Sequence, residues 1–284
     1  MGPPAGALRA AAATLLVLIS PPPSDALLAP PALVPAQSTG LRQRRVGVRV
    51  QGWLDAFLPA PMSDEEFLED RKKRWPEQYA APLDAWAEPV AGDEGLVARL
   101  RPLLASTQLE SRPLECAFDA AVDGWTSEQF HAKVDTRGAA LVYAVTEDGC
   151  EVGAYNPKGW ASMGNARPSP AAFLYAFRGD GAERPTKLRS ASHIGCNSCS
   201  SDAPSRGIEL GVEALCVPLR ISEDRGPGSE RRAFSKLGVY YEGAGALWGG
   251  TQVTALAELK VFAGVYAPGE DYPYAGAVMD MTSG

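Results

Sequence analysis

The chain has 284 residues, 45% of them hydrophobic and 21% charged, which is enough to build a sizeable core and too apolar for a disordered chain. Its net charge is −7, and the first fifty residues carry five arginines against one acid, leaving 22 bases against 33 acids in residues 51–284. An acidic body without a basic stripe excludes phosphate-backbone recognition, so no nucleic-acid partner is expected.

In chain order, Arg9 precedes an apolar run, Ala10–Ile19, which Pro21-Pro22-Pro23 ends. A bilayer-spanning helix needs about 20 apolar residues, so this run reads as a signal-peptide core and not an anchor. Ser24-Asp25-Ala26 then offers small residues for cleavage, and residues 27–50 are acid-free and bear arginine, as in Leu41-Arg42-Gln43-Arg44-Arg45-Val46. Acid-poor, arginine-bearing sequence is transit-peptide composition. Residues 1–26 and 27–50 together resemble the bipartite presequences that direct proteins to plastids lying behind extra membranes, with Leu27 where an aromatic residue is usual. The expected address is therefore a plastid, with secretion as the alternative.

Residues 51–92 form an aromatic lead-in containing one helix. Ser63 and Glu66 have capping-box spacing, acids fill the first turn, Arg71–Arg74 fill the last, and Pro76 stops it. Trp53, Phe57, Trp75, Tyr79 and Trp86 either strap this segment across the main domain or contact a partner. The strap is favoured, because large aromatics are seldom left together in one exposed patch.

Asp93 opens an apolar stretch with Leu96, Val97, Leu100, Leu103 and Leu104, leading to Leu114–Val122. Thr126 and Gln129 have capping-box spacing for a helix whose apolar face is Phe130 and Val134. His131 on that helix reads as a surface histidine. Ala139–Thr146 alternates as a strand, Asp148-Gly149 is a turn pair, and Cys150–Tyr155 pairs back. Cys116 and Cys150 sit in apolar surroundings and read as small buried hydrophobes. Farther on, Ile208–Leu219 reads as a strand, Glu223–Arg232 as a surface loop, and Leu237–Tyr241 and Leu256–Tyr266 as the last strands, with a glycine-rich turn at 243–250. Many short strands at hairpin spacing and few helices predict an α+β, mostly β chain: a two-sheet antiparallel β-sandwich with edge helices.

This order of elements resembles the TLDc domain, shared by oxidation-resistance proteins, over residues 93–266. The series is Asp123-Gly124 with Ser127 and Phe130; Gly138 to Leu141; Asp148-Gly149; Gly153-Ala154-Tyr155; Trp160; Ala172–Phe177; Gly249-Gly250; and Glu258 to Phe262. It weakens after Lys187, where a Ser/Cys-bearing insertion begins; residues 93–284 are taken as the domain. The resemblance implies protein–protein contact and a link to oxidative-stress protection. Several family members bind the vacuolar proton-pumping ATPase and promote its disassembly, a partner that a plastid address does not carry over. No catalytic set travels with the domain, and no cofactor is expected from it.

Three chemistries compete with that reading. His193-x-x-Cys196-x-x-Cys199, with Cys216 farther on, offers soft ligands for zinc or a thiol-redox pair. A strong zinc signal would have a second Cys-x-x-Cys. Hydrolysis is the third, but Gly159–Gly164 misses the Gly-x-Ser-x-Gly spacing by one residue and follows no buried parallel strand.

Overall fold

Among the described residues beyond 113, nine strands joined largely by turns form the framework. The computed structural model describes residues 63–164, 166–178, 184–191, 202–219 and 231–272. The presequence-like segment, Trp53, Phe57, His193, Cys196 and Cys199 lie outside the described residues. Among the described residues four α-helices precede or interrupt the strands, α1 (Asp64–Arg74), α2 (Gly95–Leu100), α3 (Ala120–Asp123) and α4 (Ser127–Val134), with 3-10 turns at Pro76–Gln78 and Arg101–Leu104. The strands are β1 (Leu114–Asp119), β2 (Ala140–Thr146), β3 (Glu151–Asn156), β4 (Phe173–Ala176), β5 (Thr186–Arg189), β6 (Ile208–Leu210), β7 (Leu215–Val217), β8 (Arg232–Phe234) and β9 (Val253–Gly264).

All described pairings between these strands are antiparallel, in the order β5-β4-β3-β2-β9-β8-β7-β6, with β1 also on β9. The class is mostly β with short helices, as the strand and turn pattern predicted. The two layers are halves of one sheet, because the twelve-residue β9 belongs to both. Its first residues pair with β8 and its later residues with β1 and β2, and the register shifts between Val145 and Thr146 of β2. A bulge of this kind bends a strand and strengthens its twist, which lets one strand serve two layers. Val142, Ala154 and Leu174 from one half and Ile208, Leu215 and Val217 from the other then close a single apolar cluster.

The hairpin at Asp148-Gly149 forms as the sequence predicts, with the Gly149 amide donating to the Thr146 carbonyl at 2.9 Å. On β2, however, both faces are buried: Ala140, Val142 and Ala144 face the inter-layer core, while Leu141 and Tyr143 face a second cluster with Leu100, Leu103, Leu104, Leu109 and Phe173. Alternation suggested one apolar side; the second is buried because the leucines of residues 100–109 pack onto it.

Three strand expectations need correction. Ile208–Leu219 is two strands, broken by a turn over Gly211–Ala214 in which Val212 takes φ 51° and is exposed. Arg232, expected to close a surface loop, opens β8. Leu237–Tyr241 makes only an isolated bridge, Ser190 to Tyr241, because its amides turn inward: Leu237 donates to Gly245 and Gly238 to Tyr241. Leu237 and Tyr241 are still buried, so the apolar pattern reported burial and not pairing. Cys116 is also corrected: it stands exposed on β1, beside a register shift against β9, and Cys150 is half-buried.

The lead-in touches the domain through a strap. Ala81 is buried and Trp86 packs partly buried against the cluster around Leu103 and Phe173. Lys187 of β5 fixes it, donating to the Pro82 and Ala85 carbonyls at 3.3 and 3.0 Å, with its ammonium 4.9 Å from the Trp86 ring and 5.2 Å from Phe173. Burial pushes the Lys187 ammonium down to about 8. An unfolded lysine keeps its proton to about pH 10.4, so above about pH 8 the unfolded chain binds the extra proton and stability rises with pH. Relative to Lys187→Met, the wild-type chain should gain on the order of 2 kcal/mol between about pH 7 and about pH 9.5, read from urea midpoints at the two values. A gap that stays constant with pH would show that the charge of Lys187 is not buried in solution.

Candidate functional site

The polar groups converge where α4 ends. Thr126 caps this helix, its hydroxyl accepting from the Gln129 amide at 3.3 Å and donating to the Gln129 side-chain oxygen at 2.8 Å. The predicted residue pair therefore caps the helix, though Gln129 reaches the cap hydroxyl and not its backbone. Phe130 turns into the core, edge-on to Phe118 at 5.4 Å and to Trp160 at 5.1 Å. Its neighbour His131 goes in with it at 5% exposure, which corrects the surface reading. One turn later stands Asp135, at the C-terminal end of the helix.

The chain meets this helix end again at residues 156–163. Asn156 folds the Pro157-Lys158-Gly159 turn by accepting from the Lys158 and Gly159 amides and donating to the Gly159 carbonyl. Thr136 then donates to the Trp160 carbonyl at 2.8 Å, which sets Ala161 and Ser162 beside Asp135. Ser162 takes φ 54°, a left-handed conformation uncommon outside glycine.

A third segment closes the site. Asp202 is fully buried, and its carboxylate accepts from the amides of Ala161, Ser162 and Met163 at 3.0–3.3 Å, with Arg167 3.8 Å away. Four residues on, the Arg206 carbonyl lies 2.8 Å from His131 Nε2. His131 Nδ1 lies 2.7 Å from Asp135 Oδ1 and 3.1 Å from the Ser162 hydroxyl, which also donates to the other Asp135 oxygen. Burial pulls the imidazole pKa down, but the hydrogen bonds to Asp135 and Arg206 outweigh it and hold the ring above the usual histidine value.

This is not the arrangement of a nucleophile relay. Such a relay places serine and carboxylate on opposite imidazole nitrogens. Here both face Nδ1, and Nε2 is held by a backbone carbonyl. What the arrangement does chemically is concentrate two carboxylates, a hydroxyl and an imidazole nitrogen around one point, with donor atoms of His131, Asp135 and Asp202 all within 4.8 Å of one another. Sequence reasoning weighed the serine of Gly159–Gly164 for hydrolysis and read His131 as a surface residue, but passed over Asp135, Asp202 and the meeting of the four. The i,i+4 pair His131–Asp135 on one helix face was its only local signal; Ser162 and Asp202 are brought in by tertiary folding.

The residues singled out from sequence are distributed elsewhere. Cys216 lies in β7, its thiol donating to the Val212 carbonyl at 3.1 Å, and burial with the nearby Glu209 and Glu213 carboxylates pushes that thiol up to about 12. Trp86 belongs to the strap, Tyr79 is half-buried and Trp75 is exposed. Asp123 accepts from the Asp119 amide and pairs with Lys133, and Glu258 pairs with Lys260 on β9. Gly124, Gly138, Gly149, Gly249 and Gly250 all take positive φ at turns, and Gly153 and Trp160 are packed inside.

No curated protein matches the chain. The family model for the TLDc domain matches residues 93–239, a span that begins at Asp93 and contains the α4 cluster, the β2–β3 hairpin and Cys216. That span is just over half of the 284 residues, and the chain belongs to the TLDc family.

Proposed function

We propose that this TLDc protein works by protein–protein contact, in oxidative-stress protection within a plastid. Family membership supports the stress link, and the composition of residues 1–50 supports the address. The observation that carries the contact reading is α1. Its N-terminus is closed by the reciprocal capping box of Ser63 and Glu66, yet none of its residues is buried, and Phe67, Leu68 and the following Trp75 are 55%, 42% and 42% exposed. An isolated helix of this length is marginal in water, and tertiary packing usually supplies its stability. A helix with two large apolar side chains in solvent, followed by an exposed tryptophan, suits a partner's surface. Among the described residues no helix is long and apolar enough to cross a membrane.

The triple variant Phe67→Ser, Leu68→Ser, Trp75→Ser tests this. Its unfolding free energy should stay within about 0.5 kcal/mol of wild type, because the three side chains are exposed. Cells lacking the protein should regain peroxide tolerance with the wild-type chain and not with the variant. Equal rescue by both would remove α1 as the contact surface. A fluorophore fusion with and without residues 1–50 tests the address separately: plastid signal from the full chain and its loss from the shortened one are expected.

A further inference from the structure

The bonding of His131 leaves a place for a cation. The Arg206 carbonyl can only accept, so Nε2 carries the hydrogen of that 2.8 Å contact. Nδ1 then faces the Asp135 carboxylate at 2.7 Å and the Ser162 hydroxyl at 3.1 Å, and that hydroxyl spends its own hydrogen on Asp135. A neutral ring would point its lone pair at a carboxylate, an arrangement that needs a positive species at Nδ1. Either a proton fills that place or a metal ion does.

The surroundings are those of a metal ligand set. A ligating histidine commonly donates its second ring N–H to a backbone carbonyl, and ligating carboxylates are themselves hydrogen-bonded. Both features are present: Nε2 on Arg206, and Asp202 on three backbone amides. Among the described residues, and with the ring neutral, Asp135 and Asp202 outweigh the neighbouring Arg167 guanidinium by one negative charge, with His131 and Asp202 buried and Asp135 partly open to solvent. We propose that His131 Nδ1, the Asp135 and Asp202 carboxylates and the Ser162 hydroxyl bind a divalent first-row cation of the zinc or manganese kind. One imidazole with oxygen donors suits such borderline ions. Donor atoms of His131, Asp135 and Asp202 already lie within 4.8 Å of one another, and an ion would draw them to bonds of about 2.0–2.2 Å. Bound there, the ion ties α4, the 159–163 turn and the 202–206 segment together, a structural role independent of the partner contact at α1.

The test uses the full chain, stripped with a chelator, reloaded with zinc or manganese chloride and desalted. Elemental analysis should find about one ion per chain, and reloading should raise the thermal midpoint. Cys196→Ser/Cys199→Ser should keep that ion, whereas Asp135→Asn should lose it. Cobalt loading supplies a readout that does not depend on Asp135→Asn folding: weak visible bands without a thiolate charge-transfer absorption are expected in both the wild-type chain and the double-cysteine variant. No ion retained, an ion lost with the two cysteines, or a thiolate band that disappears with them would each overturn the proposal. The first would assign the place at Nδ1 to a proton.

Discussion

Arg101→Ala should cost about 3–5 kcal/mol of unfolding free energy, a large share of what a domain of this size holds. Arg101 follows directly on α2 and its side chain is wholly buried, as is all but 4% of that of Asp93. The guanidinium meets the carboxylate as a fork, Nε to one oxygen at 2.6 Å and the terminal nitrogen to the other at 2.7 Å. Its remaining nitrogen donates to the Leu109 carbonyl at 2.6 Å and to the Glu110 carbonyl. Removing Arg101 strands a buried carboxylate and two carbonyls among Leu100, Leu103, Leu104 and Leu109. Arg101→Lys should also destabilise, because an ammonium supplies no planar fork. Arg101→Met combined with Asp93→Leu should recover most of the loss, since the cost lies in the unpaired partner and not in the missing pair. Urea unfolding of the four chains measures this, and a cost under about 1 kcal/mol for Arg101→Ala would show that the pair is solvated in solution. The same fork holds the Asp93 carboxyl below the usual carboxylate range. Its contribution is therefore complete at neutral pH and is lost as pH falls through the folded-state value.

Gly153→Ala should cost about 3 kcal/mol, at the upper end of overpacking, for the opposite reason. Gly153 lies mid-strand in β3, paired with Tyr143 of β2 and Tyr175 of β4. A Cβ there would stand 2.0 Å from the Val142 carbonyl oxygen and 2.5 Å from the Tyr175 ring and hydroxyl. The first obstacle is backbone in the central hairpin, and the second is a fully buried ring whose hydroxyl donates to that same Val142 carbonyl at 2.7 Å. Neither can yield without separating β2 from β3. Tyr175→Phe combined with Gly153→Ala should recover little, because the backbone contact remains. Hydrogen exchange of the β2 and β3 amides should report the change directly: protection in the single variant equal to wild type would contradict the close approach.

The two cases divide what could be read from the chain. Gly153 was visible as part of a Gly-x-Tyr strand motif, but its obstacles are the Val142 carbonyl on the paired strand and a tyrosine more than twenty residues away. Arg101 sits in an apolar stretch with no local signal of burial; only the fold shows that Asp93 and two carbonyls await it. Ile208–Leu219 failed for a local reason, since Gly211 with Val212 turns the chain inside an apolar run. Leu237–Tyr241 failed because burial and strand pairing leave the same apolar signature.

The amino-acid order by itself determined the class, the central hairpin, the α1 and α4 starts and the TLDc series, all set by neighbours within a few residues: caps, turn dipeptides, alternation. Only the tertiary structure decided that β9 joins both layers, that β2 is buried on both faces, and that α4 turns His131 inward. The candidate site belongs wholly to that second category. Its four side chains span Asp135 and His131 on one helix, Ser162 on a turn and Asp202 before β6, and no local pattern encodes a meeting of segments so far apart. What brings them together is the burial of Phe130 and Trp160 beside them, an apolar event that carries a polar cluster inside with it.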